Sequence, residues 1–229
     1  MTRVLLIEDD PAVRRGVTLG LRRNGHETEA VATGEDGMES LAPFAPDIVL
    51  LDLMLPGMSG LETCRRIRET SRVPIVILSA RGDDVDVVVG LEAGADDYIV
   101  KPASGEVIEA RMRAVLRRVA PSQSSPGSDG PLLYGDLEID GTAVRVCKHG
   151  RELVLAPSEV KLLLFLSAAP GQTFSRRQLL EAVWEHSYYG DARLVDACVK
   201  RLRAKIEDDQ RNPRYVQTVR GFGYRFGPL

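Results

Sequence analysis

Cysteine is scarce. The three in 229 residues, Cys64, Cys147 and Cys198, are scattered too widely for a disulfide framework. None belongs to a Cys-x-x-Cys pair and no histidine stands at ligand spacing, so a zinc site is not expected either. They read as reduced thiols used as small apolar side chains. Long hydrophobic runs are missing too: the longest, near Leu162 to Ala169, is far too short to cross a bilayer. At the start, apolar Val4 to Ile7 is cut off after four residues by Glu8-Asp9-Asp10, which leaves no signal-peptide core. The expectation is a cytoplasmic chain with no membrane contact. With 44% apolar and 28% charged residues it has the composition of a globular protein, and its length suits two domains.

The net charge of −3 hides an asymmetry. Residues 1–120 carry 15 basic and 20 acidic side chains, whereas residues 131–229 carry 15 and 12. An acidic half joined to a basic half suggests two different partners. Between Asp191 and Phe226 there are nine basic and five acidic residues, so positive charge gathers near the C-terminus. The stretch 120–131 is rich in Ser, Pro and Gly and has no apolar periodicity, so it reads as a semi-flexible linker. It separates a domain at 1–119 from a second at 132–229.

Before the linker, Val4–Ile7, Asp47–Leu51, Pro74–Leu78 and Tyr98–Val100 are continuous apolar runs, as in strands buried on both faces. Thr28–Val31 is more polar, as an edge strand is. Helical patterns lie near 11–23, 35–41, 60–69, 83–93 and 104–118. This alternation predicts an α/β fold, a doubly wound five-stranded parallel sheet whose ligands sit at the carboxyl ends of the strands. After the linker, Leu132–Ile139, Ala143–Val146 and Arg151–Leu155 read as short antiparallel strands. Helices are expected at 157–168, 175–184 and 191–206, then a hairpin of Tyr215–Val219 and Gly223–Phe226. The second domain is therefore a smaller α+β unit.

Glu8, Asp9 and Asp10 follow the first strand and Asp52 lies at the end of the third, so several carboxylates can share one crevice. Two such charges about 4 Å apart repel by about 4 kcal/mol at an effective dielectric near 20. A hard cation offsets this best, and Mg²⁺ suits a site with few carboxylates and room for waters and phosphate oxygens. Lys101, after the last strand, supplies a second positive charge. Asp9 or Asp10 alone reads equally well as a helix cap.

The set Ile7-Glu8-Asp9-Asp10, Leu51-Asp52-Leu53-Met54-Leu55-Pro56-Gly57, Leu78-Ser79-Ala80 and Gly94-Ala95-Asp96-Asp97-Tyr98-Ile99-Val100-Lys101-Pro102 resembles the receiver domain of bacterial response regulators over about residues 2–119. That likeness implies a flavodoxin-like (CheY-like) sheet and an Asp52 that accepts a phosphoryl group from a sensor histidine kinase. It implies that Glu8, Asp9, Asp52 and the Met54 carbonyl hold Mg²⁺, and that Lys101 and Ser79 bind the phosphoryl oxygens. It further implies that Tyr98 swings inward once Ser79 moves, and that a homodimer forms through the fourth helix, fifth strand and fifth helix. On that face Asp97 would pair with Arg111, and Asp96 with Arg118, across the dimer, around Val88, Leu91 and Ala110. Val87 and Val107 stand where a charge pair is usual, and Ala103 where an aromatic is usual. An apolar pair there either keeps the interface and makes it less sensitive to salt, or changes the choice of partner.

In the last predicted helix Val195, Val199, Leu202 and Ile206 form an apolar stripe. Arg193, Ala197, Lys200, Arg201 and Ala204 share another face, basic with small residues between, suited to a major groove. Arg203 and Lys205 flank it. With Thr218-Val219-Arg220-Gly221-Phe222-Gly223-Tyr224-Arg225-Phe226, this helix resembles the winged-helix effector domain of the OmpR/PhoB subfamily over about 132–227. The resemblance implies double-stranded promoter DNA as partner, with Arg201 reading bases and Arg220 entering the minor groove. Arg193, Lys200, Arg203, Thr218 and Tyr224 would touch the backbone. Cys198 replaces a frequent His, and the loop Glu185–Gly190 would meet RNA polymerase. An aspartyl-phosphate hydrolase would need an acid two residues after Asp52, where Met54 stands. A protein-binding output domain is the other alternative, and the basic helix and Arg220 argue against it.

Overall fold

The computed structural model describes residues 1–80, 84–119, 130–184 and 192–227. The chain divides into two compact units, Met1–Arg117 and Arg118–Leu229. Most of the expected linker (120–129) and the loop 185–190 lie outside the described residues.

In the first unit β1 (Arg3–Ile7), β2 (Glu27–Val31), β3 (Ile48–Asp52), β4 (Ile75–Ser79) and β5 (Asp97–Val100) pair in the order β2-β1-β3-β4-β5. All four pairings are parallel. The connecting helices are α1 (Pro11–Arg23), α2 (Gly34–Phe44), α3 (Gly60–Thr70), α4 (Asp84–Glu92) and α5 (Gly105–Val119). Strands β3 and β4 are buried at every residue, as their unbroken apolar runs require, whereas β2 is the mixed edge. Leu6, Ile48, Leu50, Val76 and Leu78 form a core with Ile108, Met112 and Val115 of α5. With β1 at the point where the strand order reverses, a crevice opens at the carboxyl ends of β1 and β3.

The second unit starts with β6 (Leu132–Tyr134), β7 (Leu137–Asp140), β8 (Arg145–Lys148) and β9 (Arg151–Glu152), an antiparallel sheet in chain order. Helices α6 (Pro157–Ser167), α7 (Arg176–Trp184) and α8 (Arg193–Ile206) follow, and β10 (Thr173–Phe174), β11 (Val216–Val219) and β12 (Gly223–Phe226) form a second sheet, β10-β12-β11. The strand expected over Leu132–Ile139 is two strands. Gly135, at φ +65°, and Asp136 make a two-residue loop with Tyr134 opposite Leu137. The next strand begins later than expected because Asp140 Oδ1 accepts from the Thr142 and Ala143 N–H groups, and that turn consumes the residues before Arg145. The short β10 escaped the sequence reading altogether.

Asp10 decides where α1 begins. Its Oδ1 accepts from the Ala12 and Val13 N–H groups at 2.7 and 2.9 Å, satisfying donors that the first turn leaves open. The Val13 and then the Ala12 bond hold its carboxyl below the ordinary value of 3.8. The cap therefore stabilises the fold above that ordinary value and fades as pH falls through the lower folded one. Asp10→Ala should lower the thermal midpoint at neutral pH, with the gap to the parent closing in acid. A gap that stays constant with pH contradicts the cap.

Candidate functional site

Register builds the crevice. Ile7 of β1 lies opposite Leu51 of β3, so Glu8 and Asp52 leave neighbouring strand ends. One carboxylate oxygen from each of Glu8, Asp9 and Asp52 lies within 4.8 Å of the others, with Glu8 and Asp52 buried and Asp9 exposed. Lys101, just past β5, donates from Nζ to Glu8 Oε2 at 2.5 Å and to Asp52 Oδ2 at 2.6 Å. The Met54 N–H donates to Asp52 Oδ1 at 3.0 Å. Ser79 ends β4 one residue beyond the partner of Asp52 and is fully buried. Asp10 takes no part in this trio, since it caps α1. The start of α3 closes against the same place, because a Cβ at Gly60 would stand 2.0 Å from the Asp52 carbonyl oxygen.

The electrostatics are unfinished. Burial raises the Glu8 carboxyl pKa, and its hydrogen bond to Lys101 offsets this only in part. Burial works against the Lys101 ammonium, but its bonds to Asp52 and Glu8 prevail and raise its pKa. Among the described residues one ammonium thus stands with three carboxylates, and the all-oxygen donor set suits a hard divalent cation. A second trio, Asp136, His149 and Asp208, arises where sequence spacing suggested none. There Lys148 Nζ lies 3.1 Å from both Asp136 and Asp208, so a side-chain cation already occupies the cluster.

Several expected surface roles fall inward. The Tyr98 ring is buried, packed where Gly90 leaves space. Asp96 is buried and pairs with Arg68 of its own chain at 2.5 Å, so it is not available on a dimer face. Its Oδ2 also accepts from the Ile75 N–H. Leu91 is buried, Val88 partly so, and Ala110 exposed. Asp97 and Arg111 approach to 3.6 Å within one chain. The Arg118 side chain lies outside the described residues.

In the second unit the stripe Val195, Val199, Leu202 and Ile206 is buried as expected. Ala197 and Cys198 are buried as well, because α8 packs against both α6 and α7. The outward ridge is therefore Asp196, Lys200 and Ala204, with Arg193 and Arg203 partly exposed beside it. Arg201 turns toward α6: Nε donates to Glu159 Oε1 at 3.0 Å, and the side chain is 10% exposed. Arg203 donates to the Val216 carbonyl and to Thr218 Oγ1, both at 2.8 Å. The Tyr224 hydroxyl donates to Asp196 Oδ1 at 2.8 Å, and Arg176 reaches the same oxygen at 2.7 Å. Arg220 is exposed on the turn between β11 and β12.

Comparisons with known proteins agree with this geometry in both units. The family described as the response regulator receiver domain matches residues 4–113, and that described as the C-terminal domain of transcriptional regulatory proteins matches residues 150–226. Transcriptional regulatory protein AfsQ1 of Streptomyces coelicolor is 54% identical over 228 residues, covering 100% of this chain and 99% of its own. The chain is a response regulator of the OmpR/PhoB subfamily. DNA-binding response regulator MtrA of Mycolicibacterium smegmatis is 46% identical over 99% of this regulator and 97% of its own length. Among solved structures, response regulator DrrB, an OmpR/PhoB homologue of Thermotoga maritima, is 37% identical with a TM-score of 0.51, covering 99% of each chain.

Sequence reasoning missed the residue that orders the regulator's basic helix. Glu159, fully buried, accepts from Arg201 on one oxygen and, on the other, from Lys205 at 2.6 Å and from the Ala156 N–H at 2.8 Å. The signal was a Glu three residues after the N-cap Ala156, half of a capping box, since the Ala156 side chain offers no acceptor. Removing one partner of a buried pair typically costs about 3–5 kcal/mol. Glu159→Ala should lower the unfolding free energy of the C-terminal unit by about that much in denaturant titration. A loss under about 0.5 kcal/mol contradicts its anchoring role.

Proposed function

We propose that this response regulator is phosphorylated on Asp52 by a cognate sensor histidine kinase in the cytoplasm, then dimerises and binds promoter DNA to control transcription. The convergence of Glu8, Asp9, Asp52 and Lys101 at one end of the sheet carries the reading. An Asp52 oxygen attacks the phosphorus of a phosphohistidine, the P–N bond breaks and the imidazole nitrogen leaves. Lys101, already bonded to Asp52, holds the carboxylate in place and then pairs with a phosphoryl oxygen. Mg²⁺, held by Glu8, Asp9, Asp52 and the Met54 carbonyl, would offset negative charge on the transferring group. The regulator's catalytic work extends no further than accepting this group and releasing it to water.

The Ser79 hydroxyl donates to the new phosphoryl group from the end of β4. Net hydrogen bonds to charged groups contribute roughly 1.5–3 kcal/mol each, so Ser79 and Lys101 together supply about 3–6. Shifting a two-state equilibrium from 1:99 to 99:1 takes about 5.5 kcal/mol. Tyr98, buried against Gly90, belongs to the packing that the phosphoryl group stabilises. The dimer face of α4, β5 and α5 keeps Val88, Ala110, Val107 and Arg111, whereas the inward Asp96 and Leu91 act as its scaffold. On DNA, Lys200 on the ridge, Arg193 beside it and Arg220 on the wing make the contacts. Arg201, Arg203, Thr218 and Tyr224 hold that surface in shape and reach the duplex from its margin. The loop 185–190 is the site for RNA polymerase.

Asp52→Asn should abolish labelling by a small phosphodonor and leave the thermal midpoint of the fold within a few degrees of the parent. Labelling at the parent's rate would move the acceptor elsewhere. Binding to a promoter duplex should weaken with salt by roughly 0.9 log units of affinity per log unit of salt for each phosphate neutralised. Lys200→Ala should make that slope shallower by about one such contact. An unchanged slope would remove Lys200 from the interface.

A further inference from the structure

The wing carries a side chain that the proposed DNA contacts leave unused. Phe222 is 72% exposed, an aromatic ring left in water at the tip of the turn between β11 and β12. The turn itself is rigid. Val219 pairs with Gly223, the Phe222 N–H donates to the Val219 carbonyl at 2.9 Å, and Gly221 sits at φ +80°. Gly223 passes so close to β10 that a Cβ there would stand 2.0 Å from the Phe174 carbonyl oxygen. Below the tip, Arg203 bonds to Val216 and Thr218, and its guanidinium lies 5.6 Å from the centre of the Tyr224 ring. Tyr224 in turn bonds to Asp196 on α8. The ring is therefore presented at a fixed distance from α8, two residues from the exposed Arg220.

An exposed aromatic on a braced, positively charged hairpin has the chemistry of a wedge. Apolar side chains of this size lodge between base steps or against sugar edges in the minor groove, beside a cation that meets the phosphates. We infer that Phe222 enters the minor groove next to Arg220 and confers a preference for A·T-rich sequence at the position the wing reaches. The choice of A·T follows from the groove floor: a G·C pair places the guanine 2-amino group where the ring would lie. This inference rests on the DNA-binding reading above and adds a specificity-determining residue to it.

The test uses the full chain and duplexes enriched by the parent protein from a randomised library. In an enriched duplex, the A·T pairs under the wing are replaced by I·C, which keeps the minor-groove floor free of the amino group, or by G·C, which adds it. The parent should bind the A·T and I·C duplexes alike and the G·C duplex about tenfold more weakly. Phe222→Ala should lose about tenfold on the first two and bind all three equally, whereas Phe222→Leu should keep most of the discrimination. Phe222→Ala that retains the parent's ranking of the three duplexes overturns the wedge and leaves DNA binding standing. A library that yields no enriched duplex overturns the DNA-binding reading, and the wedge with it.

Discussion

The receiver half of this molecule is organised around the Lys101 ammonium held between Glu8 and Asp52. A parallel sheet with both faces covered delivers its strand ends, and whatever charge they bear, to one narrow place. Placing acids at two adjacent ends makes that place unstable unless cations are supplied, and among the described residues Lys101 supplies one from a third strand end. The imbalance left over is the basis of the chemistry, because the site is more readily satisfied by further cationic and hydrogen-bonding partners than left alone. The backbone around it is correspondingly tight, with Gly60 excluded from being anything larger.

A comparable economy of charge shapes the effector half. The surplus of basic residues near the C-terminus suggests a strongly positive surface, yet several of these side chains are spent internally. Glu159 engages Arg201 and Lys205, and Arg203 bonds to the backbone and hydroxyl of β11. Burial lowers the Arg203 pKa, as is usual for a cation taken out of water. What remains outward is a narrower ridge, in which the acidic Asp196 is tied to Arg176 and Tyr224.

The α/β half was legible wherever one physical signal dominated. Apolar runs such as Ile48–Leu51 admit few alternatives, and the clustering of Glu8, Asp9, Asp52 and Lys101 follows once strand order is known. Elsewhere two signals competed. Gly135 and Asp136 turn the chain inside a stretch whose apolar alternation continues on either side, so one strand was expected where two exist. The two-residue β10 has no periodicity to detect. For α8, a single buried stripe was assumed, but packing against two helices widens the buried arc to include Ala197 and Arg201. Asp96 shows the same limit, since no local pattern announces that Arg68, distant in sequence, reaches past Gly94 to meet it.

The bonds joining Arg203, Thr218, Tyr224 and Asp196 have a thermodynamic corollary. Side chains that must be frozen when a complex forms each subtract roughly 0.5–1.5 kcal/mol from the affinity. Here the hairpin and the helix beneath it are immobilised when the domain folds, so the ordering entropy is settled before any partner arrives. Weakening this lattice would leave Arg193, Lys200 and Arg220 in place and return part of that ordering entropy to the binding step.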